Sequence, residues 1–193
     1  DDLLAAAPAI ARATQAGLAI ARGGDLPARL DWRVEGPFDS SYSLALVNRS
    51  LAMALRDRGH NVVLHSTEGP GDFPASPDFL AANPDIARLH AGEPTMPAER
   101  ATVSSRMLYP PRVADMASRI NTVHLYPWEE SGFPQAWMED FNTHLQGISC
   151  LSTHVRKIMV DNGASIPLSV GCCGVDHWLQ IVPDAGYRVE GRG

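Results

Sequence analysis

The chain has 193 residues, of which 45% are hydrophobic and 20% charged. That composition describes one ordinary folded domain, or at most two small ones, and excludes a disordered chain. A net charge of -6 argues against a nucleic-acid-binding domain, which needs a basic patch, and against strong electrostatic docking on anionic lipid. Folding at this length buries roughly 70% of the unfolded surface, enough for a core without disulfide or metal staples.

In chain order, residues 1–25 read as an amphipathic helix lying on the domain. Pro8, Arg12 and Gln15 interrupt the run from Leu3 to Ala21 too often for a signal peptide or a membrane span. Leu30 to Gly36 alternates like a strand and runs into the turn Gly36-Pro37-Phe38-Asp39-Ser40-Ser41. Tyr42 to Arg58 has helical periodicity, with Leu44, Val47, Leu51, Ala54 and Leu55 on the inner face, Asn48 and Arg49 outside it, and Gly59 as the cap. Asn61 to Thr67 completes a strand-helix-strand unit of the length a parallel sheet requires.

Glu68 to Glu99 is rich in proline, glycine and acids, so a long excursion is expected, with a short helix from Pro77 or Pro84 to His90. Strands follow at Ala101–Leu108 and Ile120–Tyr126. A helix from Pro134 to Gln146 turns Trp137, Met138, Phe141 and Leu145 inward. A strand at Ile148–Ser152, a helix at Thr153–Asn162 closed by Gly163 and a strand at Leu168–Gly171 finish the pattern. The alternation predicts an α/β fold: a Rossmann-like, mainly parallel sheet flanked by helices. Cys150 reads as a buried small hydrophobe, and Cys172, Cys173 and His177 lack the spacing of a zinc site.

In an open parallel sheet the ligand crevice lies beyond the carboxyl ends of the strands. The first such end, Gly36 to Tyr42, brings small polar residues to a helix start, a geometry suited to phosphate or sugar hydroxyls, although Ser40 or Ser41 serves equally as a helix cap. No G-x-G-x-x-G pattern is present there. Thr67 to Phe73 is a glycine turn with two acids. Val123 to Pro134 is the densest chemical stretch: Tyr126 and Trp128 offer aromatic surface for the C–H face of a sugar, and Glu129 and Glu130 offer carboxylates for hydroxyls or for acid-base work. The competing reading makes Trp128 core and the acids a solvated helix start. His124 reads as a packed histidine.

Taken in order, these segments resemble the N-terminal half of glycosyltransferase family 4, the retaining GT-B enzymes that use nucleotide sugars. The resemblance spans about Asp31 to Trp178. It rests on the loop from Gly36 with Gly59-His60-Asn61-Val62, on Trp128-Glu129-Glu130-Ser131-Gly132-Phe133-Pro134 with Trp137, on Ser149-Cys150-Leu151-Ser152, and on Gly174-Val175-Asp176. Cys173 stands where the family has asparagine. Glu130 and Glu139 precede Gly174-Val175-Asp176, so they are not the family's donor-site glutamate pair.

The resemblance implies an acceptor-side domain over residues 26–178, one half of a GT-B fold, with the start of an interdomain linker at 179–193 and a C-terminal donor domain outside this chain. It implies transfer of a sugar from a nucleotide-sugar donor to a glycan or lipid-linked acceptor, without metal or cofactor, in the cytoplasm and in peripheral contact with the inner face of the cytoplasmic membrane. Glu129 and Glu130 become the expected catalytic residues. Gly36, Asp39, Ser40, Ser41, Tyr42, Tyr126, Trp128 and Asp176 become the expected binding residues for acceptor or donor phosphate. A flavodoxin-like small-molecule-binding module is the alternative from another class.

Overall fold

The computed structural model describes residues 28–174 together with Ile181, Val182 and Gly186. The expected N-terminal helix, Asp176, and the linker apart from those three residues lie outside the described residues. The elements are β1 (Asp31–Glu35), α1 (Ser43–Asp57), β2 (Asn61–His65), a hairpin of β3 (Thr67–Glu68) and β4 (Gly71–Asp72), α2 (Pro77–Ala82), α3 (Pro84–Ala91), β5 (Val103–Arg106), β6 (Ile120–Tyr126), α4 (Gln135–His144), β7 (Gly147–Cys150), α5 (Thr153–Asp161) and β8 (Leu168–Val170). Short 3-10 turns at Glu93–Thr95 and Ala98–Arg100 join α3 to β5.

The main sheet has six strands in the order β2-β1-β5-β6-β7-β8, and every pairing in it is parallel. This is the α/β Rossmann-like arrangement that the alternation predicts. The order reverses once, between β1 and β5, which makes the carboxyl ends of those strands the switch point of the sheet. β1 faces two environments. Trp32 and Val34 join Val62 and Leu64 of β2 under Ala52 and Leu55 of α1 and Ile86 and Leu89 of α3. Arg33 and Glu35 point to the opposite face, because side chains alternate along a strand. A second apolar core joins β6 and β7 to α4 and α5 through Val123, Ile148, Phe141 and Met159.

The Glu68–Glu99 excursion is more ordered than its composition suggests. Both candidate prolines open helices: Pro77 stands at the first position of α2, capped by the Ser76 hydroxyl accepting from the Phe79 amide at 3.3 Å, and Pro84 opens α3. The inner face of α1 differs from the periodicity. Ala45, Asn48, Ala52 and Leu55 form the buried row, and Ala54 is exposed. The physical reason is Asn48, whose Nδ2 donates to the carbonyls of Pro37 at 2.8 Å and Met107 at 2.9 Å. It stitches the loop after β1 to the loop after β5 across the switch point, and that bond rotates the helix.

Gly36 belongs to the same junction. Its φ is +142°, and a Cβ there would lie 2.2 Å from the Met107 carbonyl oxygen and 2.4 Å from Asn48 Nδ2. No side chain fits. Asn48→Ala leaves two buried carbonyls without a donor and is expected to cost about 2–4 kcal/mol; Gly36→Ala costs at least as much. Urea unfolding of each variant measures both, and a loss below about 0.5 kcal/mol for either contradicts the stitch.

Candidate functional site

The loop Gly36 to Tyr42 packs inward. Pro37 and Phe38 are fully buried, with Phe38 against the His90 ring at 5.2 Å. Arg49 Nη1 donates to the carbonyls of Phe38 at 3.1 Å and Ser40 at 2.5 Å, and its guanidinium lies over Phe79. The Asp39 carboxylate accepts from the Ser76 amide at 2.6 Å, and Ser40 Oγ is buried without a partner among the described residues. Neither serine caps α1, because Tyr42 occupies the cap position and makes no side-chain cap bond. Only Ser41 and Tyr42 reach solvent freely. The Tyr42 hydroxyl donates to Glu68 at 3.2 Å; partial burial, together with the Glu68 carboxylate, pushes the phenol up to about 12.

The third strand end divides into a buried half and an exposed one. Leu125 adopts φ +48° where the β6–β7 register shifts between Val123 and Tyr126. Such an irregularity re-aims the residues after it. Tyr126 enters the core edge-on to Phe133 and Phe141, and burial pushes its phenol above the ordinary range. Trp128 lies above that layer, 4.8 Å from the Phe133 ring, with its Nε1 donating to the Gly132 carbonyl at 2.8 Å. Asn162, just after α5, pins the turn by donating to Ser131 and accepting from the Phe133 amide.

Trp137 meets Trp128 edge-on at 5.9 Å and Tyr109 edge-on at 5.9 Å. Tyr109 is 65% exposed. The outcome is an aromatic shelf beside Glu129 and Glu130, both exposed and neither in a hydrogen bond or ion pair among the described residues. Among the described residues no direct bond joins the first loop to this shelf. They share an edge through Tyr42 and Glu68, then Gly69, which lies so close to Pro110 that a Cβ would sit 2.7 Å from its Cδ, then Tyr109. His124 is buried, with Nδ1 2.8 Å from Ser105 Oγ, and desolvation drops it to about 3, so it is a neutral packed histidine. Cys150 is buried too; Cys172 and Cys173 are exposed.

Between the hairpin, the 3-10 turns and the face of β1 opposite α1 lies a cavity of about 460 Å³. The last residues of β1, β2 and β5 form its floor: Glu35 is in register with both His65 and Arg106. Glu35 is 2% exposed and receives Arg33 Nε at 2.9 Å on one oxygen and Arg106 Nε at 2.7 Å on the other. Arg106 continues to Asp115 at 2.6 Å, and Asp115 to Arg112 at 2.5 Å. On the other side Arg33 pairs with Glu93 at 2.9 Å, Glu93 with His65 at 3.2 Å, and His65 with Asp72 at 3.1 Å. Asp72 lies 3.9 Å from Arg112. Basic and acidic side chains thus alternate around a closed ring.

Individual residues of this ring are visible in the sequence as polar strand positions, but Arg33, Glu35, His65, Arg106, Arg112 and Asp115 do not stand out there as a site. The nearest signal is the pair of charges at alternate positions of β1, within a strand whose other face is apolar. Among the described residues no group of three His, Cys, Asp or Glu side chains is placed to hold a metal ion, and no helix is long and apolar enough to cross a membrane. The fold is an α/β domain, with the aromatic shelf and the charged cavity at the carboxyl ends of its parallel sheet. No family model matches this chain, and no curated protein or solved structure matches it significantly.

The ring makes stability depend on acid. Burial works to raise the Asp115 carboxyl, but hydrogen bonding from Arg106 and the charges of Arg106 and Arg112 outweigh it, so it titrates below its ordinary 3.8. Asp72 is also lowered, as bonding to Thr67 and His65 and the Arg112 charge overcome its partial burial. A depressed folded-state value means that the stabilisation is present above pH 3.8 and is lost as pH falls through the folded-state value. The difference in melting temperature between the parent protein and Asp115→Asn is expected to hold steady from about pH 7 to about pH 5 and to shrink below pH 3.8. A difference that widens in acid contradicts the pairing.

Proposed function

We propose that this chain is the acceptor-side domain of a retaining glycosyltransferase, transferring a sugar from a nucleotide-sugar donor to a glycan or lipid-linked acceptor. The single observation that carries the proposal is the aromatic shelf of Tyr109, Trp137 and Trp128 beside the unpaired carboxylates Glu129 and Glu130. A sugar ring lays its C–H face on an aromatic surface and offers hydroxyls at its rim, where carboxylates accept. Glu129 and Glu130 orient the acceptor or assist its deprotonation, Trp128 and the edge of the shelf hold its ring, and Ser41 and Tyr42 approach it from the first loop. Tyr126 supports the shelf from below and does not itself touch the ligand. Nucleotide binding falls to a second domain outside this chain, and the reaction takes place in the cytoplasm at the membrane face.

The flavodoxin-like alternative has one observation in its favour. With the hairpin set aside, the strand order is the 2-1-3-4-5 of that fold extended by one strand. Against it, the loop after β1 turns Pro37 and Phe38 into the core, and Gly36, Asn48 and Met107 fill the α1 side of the switch point, where a flavin phosphate would sit.

In the complete protein, Glu129→Gln is expected to lower sugar-transfer turnover by about 100-fold. The melting temperature should stay unchanged, because the side chain is exposed and makes no bond among the described residues. Unchanged turnover sinks the assignment, and so does submicromolar binding of FMN or NAD(H) by this chain.

A further inference from the structure

We propose that the ring-lined cavity binds a neutral polyhydroxylated molecule, a sugar or a cyclic polyol, through hydrogen bonds alone. The inference does not depend on sugar transfer, since none of the shelf residues lines the cavity. Its volume of about 460 Å³ lies within the range of small-molecule sites, and its floor is built from the carboxyl ends of strands on both sides of the switch point.

A donor waits there unused. Arg112 lines the cavity. Its Nη1 is spent on Asp115 and its Nη2 on Thr67, while its Nε is buried and meets no acceptor among the described residues. A buried guanidinium N–H without an acceptor is costly, so water or a ligand oxygen must serve it.

The charge pattern selects the ligand class. Arg33, Arg106 and Arg112 against Glu35, Asp72, Glu93 and Asp115 leave at most one net negative charge, and none when His65 is protonated. The most exposed members are the acids Asp72 and Asp115. An anion entering the cavity meets those carboxylates first. A cation meets guanidinium groups at the floor and must break existing pairs to gain any. A hydroxyl both donates and accepts, so neighbouring hydroxyls can satisfy an arginine and a carboxylate of the ring without disturbing either pair.

The test titrates the protein with myo-inositol, glucose and maltose, and in parallel with glucose 6-phosphate and glucosamine, while following the arginine Nε–H resonances of the ring. At least one neutral probe is expected to shift them saturably, with a Kd on the order of 1 mM, and both charged sugars to bind at least about tenfold more weakly. Asp72→Asn and Arg112→Gln, both at the rim, should each weaken that binding about tenfold. Trp128→Phe and Glu129→Gln should leave it unchanged, which separates this cavity from the shelf. If Arg112→Gln does not fold, Asp72→Asn carries the comparison alone. The proposal is overturned by the absence of saturable binding for every neutral probe, by a preference for a charged one, or by loss of binding in the shelf variants but not in the rim variants.

Discussion

A carboxylate at the end of a central strand, buried and gripped by a guanidinium on each oxygen, constrains most of what surrounds it. At 2% exposure the Glu35 carboxylate has Arg33 and Arg106 in place of water, and the two buried guanidinium groups have it. The idealised cost of desolvating such ions is of the same order as their attraction, so the triad adds little net stability over apolar side chains of similar volume. Removing one member is another matter, at about 3–5 kcal/mol, because the partners are then left charged and unpaired. Burial works against the Arg106 cation, and the Glu35 and Asp115 carboxylates more than offset it. What the triad supplies is register. A one-residue slip of β1 would carry Glu35 to the apolar face under α1 and bring Val34 among the charges.

That constraint reaches outward through partners far apart in the chain. Arg33 holds Glu93 and the Met96 carbonyl, so the turns after α3 are tied to the sheet floor. Arg106 holds the Arg112 carbonyl and Asp115, which fixes the start of the long β5–β6 connection, and Arg112 reaches across to Thr67 at the hairpin. The same connection presents Tyr109 to Trp137. The shelf and the charged cavity are therefore neighbours in the fold, held by one loop, though they differ in chemistry: one offers aromatic faces and free carboxylates, the other paired charges and a spare donor.

Much of the architecture is legible in the sequence, since local patterns carry it. The strand over Ile120–Tyr126, the glycine closures of α1 and α5, and the prolines that open the helices each follow from alternation, period or backbone restriction within a few residues. Asn48 misleads, because a polar residue on an otherwise apolar helix reads as solvent-facing, and its carbonyl partners lie 11 and 59 positions away. The ring is less legible still. Glu35 and Arg106 are 71 positions apart, and only the register of β1 with β5 shows that they meet. For the expected site, Trp128, Glu129 and Glu130 come out at the surface together, whereas Tyr126 goes inward because the irregularity at Leu125 turns the chain, which no residue type in that stretch announces. Asp39 and Ser40 read as ligand groups because they are small and polar, yet one bonds the Ser76 amide and the hydroxyl of the other is buried.

Hydrogen exchange of the arginine Nε protons reports whether Arg33 and Arg106 close on Glu35 in solution. The Nε–H of both residues is predicted to exchange at least about a hundredfold more slowly than that of the exposed Arg88, with protection that survives moderate salt because the pairs are buried. Exchange of either at the rate of Arg88 would contradict the triad, and with it the register, the ring and the cavity built on it.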